Sequence, residues 1–89
     1  MDKKEIFELI NWYRNIDTQG MDMNVYFFPK LMKAYGNDIE EILSFLDTLT
    51  ISDLEIISGS FEDIYAKFMT DEVYDALGKL EDKMKAPGE

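Results

Sequence analysis

Apolar residues recur along this chain at intervals of three and four, the period of helices resting one face on a core. Strict alternation, the mark of a half-buried strand, nowhere runs long enough to build a sheet. Asp2 and Glu5 have the spacing of a capping box, and Ile6, Phe7, Leu9, Ile10 and Tyr13 follow at helical intervals, so a first helix is expected over about residues 3–14. Asn15 to Gly20 is rich in turn formers and has no period, which predicts a loop. Val25 to Phe28 is bulky and β-prone, and Pro29 should hold Phe28 extended while itself suiting a first helical position. A short helix then runs through Lys30, Leu31, Met32, Lys33, Ala34 and Tyr35 and stops at Gly36, which takes a left-handed cap without a Cβ penalty.

Asn37 with Glu40 repeats the cap spacing, and Ile39, Ile42, Leu46 and Leu49 keep the period, predicting a helix over about residues 38–48. Thr50 with Asp53 opens another, whose Leu54, Ile57, Phe61, Ile64 and Phe68 wind one continuous stripe. Gly59 falls inside that stripe's helix, where it costs about 1 kcal/mol relative to alanine. With Leu54, Ile57 and Phe61 inward, Ser52, Gly59 and Ala66 share the opposite side, so Gly59 is expected to face outward, beneath a close helix or at a partner interface. Thr70 caps the final helix, whose stripe is Val73, Leu77, Leu80 and Met84 and whose Asp75–Lys79 and Glu81–Lys85 spacings favour ion pairs. The expected fold is all-α: a compact bundle of four to five short helices, a single domain over residues 1–85 with a frayed C-terminal tail at 86–89.

With 89 residues, the chain has room for one core but not for the walls of a deep substrate cavity. Its 46% apolar content is too rich for disorder, and no apolar run approaches the roughly 18 residues of a membrane span. The polar start at Asp2, Lys3, Lys4 and Glu5 lacks the apolar core of a secretory signal, so a cytoplasmic home is expected. The absence of cysteine and histidine removes disulfides, thiol nucleophiles, the commonest general base and the commonest transition-metal ligands. Carboxylate pairs remain, but catalysis by them needs one member with a raised pKa in a closed cleft, whereas these carboxylates fall on outward helix faces. Asp22-Met23-Asn24 begins like a calcium loop and lacks its later glycine and glutamate. Ser52 is no carrier-protein serine, because aspartate follows it and Ile51 precedes it. Neither an enzyme nor a metal or other cofactor is expected.

Charge changes the picture most. The net charge is −10, which repels nucleic acid and anionic membrane and attracts basic surfaces. Between Lys33 and Lys67 there is no basic residue, while Asp38, Glu40, Glu41, Asp47, Asp53, Glu55, Glu62 and Asp63 all fall in that window. A carboxylate-rich face can be a merely solvated one; acids kept apart from lysines over so long a stretch also suit a patch for a basic partner. The candidate binding residues are Glu41, Asp47, Asp53, Glu55, Ile56, Glu62 and Asp63, with Glu55 and Glu62 seven apart on one expected helix edge. The aromatic run Tyr26, Phe27 and Phe28, with Trp12 and Tyr13, is expected to plug the open end of the bundle in preference to anchoring a partner.

The second half of the chain, through Asp53-Leu54-Glu55-Ile56-Ile57-Ser58, Phe61-Glu62-Asp63-Ile64 and Ala76-Leu77-Gly78-Lys79-Leu80-Glu81, resembles small helical immunity proteins of bacterial contact-dependent growth inhibition and related polymorphic toxin systems. The resemblance implies an antitoxin, monomeric before complex formation, that binds one cognate toxin domain and blocks its active site. Many such toxins are nucleases, whose clefts are basic because they hold phosphates. Two other classes fit an acidic helical surface: a nucleic-acid mimic that occupies a DNA-binding protein, of the anti-restriction or anti-CRISPR type, and a non-catalytic regulatory module. A mimic needs carboxylates spaced like phosphates along an extended face; an immunity protein needs one compact patch with apolar residues interleaved.

Overall fold

The computed structural model describes residues 1–16 and 20–85. The expected loop therefore falls partly, and the expected frayed tail wholly, outside the described residues. Among those described, every regular element is helical: α1 Lys3–Asn15, α2 Met23–Tyr26, α3 Phe28–Tyr35, α4 Ile39–Asp47, α5 Ile51–Ile57, a 3₁₀ turn Ser58–Ser60, α6 Phe61–Phe68 and α7 Asp71–Lys85. Among the described residues, no helix is long and apolar enough to cross a membrane.

Side-chain caps set most of the starts. The backbone N–H of Glu5 donates to Asp2 at 3.0 Å, that of Asp53 to Thr50 at 3.2 Å and that of Val73 to Thr70 at 3.2 Å, each satisfying an otherwise orphaned first-turn donor. At α4 the register differs by one residue from the expected Asn37 cap. Asp38 is the extended residue, and it accepts from the N–H of Glu41 at 3.3 Å; a carboxylate there also answers the helix dipole. Val25 to Phe28 is likewise not extended. Asp22 caps a single helical turn, accepting from Asn24 at 2.9 Å, and Phe27, at φ −122° and ψ −62°, kinks the chain between α2 and α3. Phe28 is already helical, and Pro29 sits in the first turn, where its missing N–H has no acceptor to lose. Gly36 ends α3 at φ +79°, and Lys67 donates to its carbonyl at 3.0 Å.

The apolar stripes converge on one core. Ile6 and Ile10 of α1, Leu31 and Tyr35 of α3, Ile42 and Leu46 of α4, Leu54 and Ile57 of α5, Phe61 and Ile64 of α6, and Val73, Leu77 and Leu80 of α7 are all buried. Phe27 plugs the α1–α3 seam: fully buried, it stacks on Trp12 at 6.0 Å and meets Tyr13 at 5.1 Å and Phe28 at 5.4 Å between ring centroids. Tyr26 stays outside, half exposed.

The helix expected to run unbroken from Thr50 to Phe68 is two helices joined by the Ser58–Ser60 turn. Two hydroxyls explain the break: Ser58 donates back to the Glu55 carbonyl at 3.0 Å and Ser60 to the Ile57 carbonyl at 2.6 Å, giving the backbone three-residue alternatives to the α-helical ladder. Gly59 between them is no open position. A Cβ there would come within 2.3 Å of the Phe28 ring, so the missing side chain lets α3 close over the turn. Alanine at 59 is therefore expected to destabilise by about 1–2 kcal/mol, the low end of overpacking because the far edge of a half-buried ring can tilt away. Urea unfolding checks this; a stabilised Gly59→Ala would show that the ring exerts no constraint.

Candidate functional site

The structure gives most of the acidic window a local task. Three helices begin between Asp38 and Phe61, and their first turns carry Glu40 and Glu41, Asp53, and Glu62 and Asp63, where unpaired N–H groups favour anions. Splitting this stretch into short helices multiplies N-termini, and the carboxylates collect at them. Asp47 and Glu55 fall outside this pattern, since Asp47 is the last residue of α4 and Glu55 lies in the second half of α5.

Nor is the window free of cations in space. Arg14 of α1 donates to Asp53 at 2.5 Å and to Ser52 at 2.8 Å, tying α1 to α5 and leaving Asp53 only partly exposed. The amino nitrogen of Met1 lies 3.2 Å from Glu41. Asp47 lines a depression between α4 and α7 together with Lys79 and Lys83, which offset a carboxylate at the negative end of a helix. Glu55, Glu62 and Asp63 remain exposed, while Ile56 is half-buried against the core. Because the 3₁₀ turn separates α5 from α6, Glu55 and Glu62 do not share the edge of one continuous helix.

A different grouping emerges between α6 and α7. Phe61, Glu62 and Tyr65 from α6 face Tyr74, Leu77, Gly78 and Glu81 from α7 across an open groove of about 250 Å³. Tyr65 and Tyr74 meet edge to face, centroids 5.5 Å apart and planes at 65°. Both rings are exposed, Tyr74 by 65%, so two large amphipathic side chains stand in water beside a carboxylate on each wall. Gly78 lies within this groove. Its backbone is helical, and a Cβ added to it would meet nothing within 4 Å, so it gives up about 1 kcal/mol relative to alanine for no packing reason among the described residues. The expectations from sequence overlooked this group. Its signal was the Tyr74, Gly78, Glu81 spacing, a second helical stripe beside the apolar one. At 250 Å³ the groove is smaller than the roughly 300–1,000 Å³ of small-molecule sites, and suits a side chain of a larger partner.

One buried polar pair lies away from these surfaces. Ser60 spends its hydrogen on the Ile57 carbonyl, so the Tyr35 hydroxyl is the donor across the 3.0 Å between the two oxygens. Burial disfavours the charged phenolate and pushes the Tyr35 pKa up to about 12. A neutral tyrosine bonded to serine is a structural clasp between α3 and the 3₁₀ turn.

No family model matches the chain, and no curated protein or solved structure matches it. The class that fold and surface define is an acidic all-α domain with an aromatic, carboxylate-walled groove.

Proposed function

We propose that this protein is an immunity protein: a non-catalytic antitoxin that binds a basic cognate toxin domain, of nuclease type, and covers its active site. The observation that carries the reading is the pairing of exposed carboxylates with exposed aromatics at α6 and α7, where Glu62 and Glu81 flank Tyr65 and Tyr74. Acid steers a basic partner into encounter, and tyrosines supply rigid contact area once it arrives. The compact patch also favours this reading over nucleic-acid mimicry. A phosphate-like surface needs an unbroken row of carboxylates, and Arg14 at Asp53 and Lys79 and Lys83 beside Asp47 interrupt such a row.

This reading expects a toxin domain encoded beside this protein's gene, and the test uses that domain as the partner. Reversing Glu55 and Glu62 to lysine is expected to slow association by ~10-fold or more at low ionic strength, measured by stopped flow, and to weaken protection of toxin-expressing cells. Reversing the exposed Asp75 and Glu8 should change little. The reading is overturned if the Glu55 and Glu62 variant keeps both association rate and protection, or if affinity is independent of salt.

A further inference from the structure

The α6–α7 groove combines features that no packing requirement among the described residues accounts for. Its rings are exposed, its walls carry Glu62 and Glu81, and its floor is opened by a glycine with empty space above it. We propose that it is an arginine socket: an arginine on a segment of the protein partner lays its guanidinium against the Tyr65 and Tyr74 rings, with its charge between Glu62 and Glu81.

Charge complementarity selects a cation for a site walled by carboxylates from two helices. The aromatic faces select among cations. A guanidinium is planar, weakly hydrated and stacks on tyrosine, and its fork offers donors to carboxylates on opposite sides. An ammonium is a compact, strongly hydrated charge and gains less from the rings. Gly78 gives the aliphatic stem room to lie along α7, over Leu77. Glu81 thereby becomes a recognition residue, and the seat of recognition lies on α6 and α7, away from Glu41, Asp47 and Asp53.

The inference rests on the proposed role as a binder of a basic protein, and it can fail separately from that role. Labelled protein is titrated with a short blocked alanine peptide carrying arginines, and with the same peptide carrying citrulline, which keeps the shape and removes the charge. The arginine peptide is expected to shift the backbone resonances of Glu62, Tyr65, Tyr74, Gly78 and Glu81, and the citrulline peptide to leave them in place. Binding should weaken at least several-fold in Tyr74→Ala, in Glu81→Gln and in Gly78→Gln. The last variant separates recognition from folding, since a side chain at this open helical position should raise Tm while filling the socket. Shifts centred on α4 and α5, or equal binding by the Gly78→Gln and Tyr74→Ala variants, would sink the proposal. With the toxin domain itself, neutralisation that survives both variants overturns the socket and leaves the immunity reading standing. Arginine-peptide docking without any toxin protection does the reverse.

Discussion

Replacing Phe27 by alanine is expected to remove about 3–5 kcal/mol of stability, the range for deleting a fully buried aromatic ring. Phe27 has no exposed surface and touches Trp12, Tyr13 and Phe28, so its loss empties the seam between α1 and α3 and leaves three rings without a partner. Against the roughly 5–15 kcal/mol that stabilises a typical domain, this is enough to populate unfolded chain at ordinary temperature. Urea unfolding followed by circular dichroism measures it. A loss under about 1 kcal/mol would show that the aromatic cluster is peripheral, a surface-like change in scale. The neighbouring Tyr26→Ala should be nearly neutral, since that ring is half exposed.

The second large effect is an alkaline transition centred on Tyr35. Its folded pKa, about 12, lies above the ordinary value of 10.0, so the folded state holds the phenolic proton more tightly than the unfolded chain does. The stabilisation is complete below pH 10 and is lost as pH rises from 10 towards 12, at about 1.4 kcal/mol per unit and roughly 2–3 kcal/mol in all. Lysines and other tyrosines also titrate at high pH, so the informative quantity is a difference. Tyr35→Phe cannot form a buried phenolate, and wild type should lose stability relative to it over this range, as read from urea midpoints at successive pH values. Parallel curves for the two proteins would contradict the assignment. At neutral pH Ser60→Ala should cost about 1–3 kcal/mol, because the Tyr35 hydroxyl is then buried without an acceptor.

The proposed immunity role would place two physical demands on one small surface. In the proposed role the net charge of −10 would supply long-range attraction, and the rings and carboxylates of the α6–α7 groove would supply fine discrimination. The first is distributed over many residues and tolerates single changes; the second is concentrated in a few and does not.

Local information sufficed for the helical class, for the caps at Asp2, Thr50 and Thr70, for the end at Gly36 and for the buried stripes. Each depends on chemistry within one helical turn: a side-chain oxygen meeting an orphaned N–H, or the three-and-four period that puts apolar residues on one side. Even Leu54, Ile57, Phe61 and Ile64 stayed buried across the break in their helix, since a single tighter turn rotates the stripe only slightly. Tertiary structure decided what depended on neighbours distant in sequence. Phe28, remote from Gly59 in sequence, decides between the two settings expected for that glycine, placing it beneath a close helix. Arg14 reaches across to Asp53, and Lys79 and Lys83 come to face Asp47, so a window without bases along the chain is not one in space. Tyr65 and Tyr74 become a pair only because α6 and α7 pack side by side. Periodicity assigns a residue to one side of its own helix; which side chain lies opposite is set by how the helices share their core.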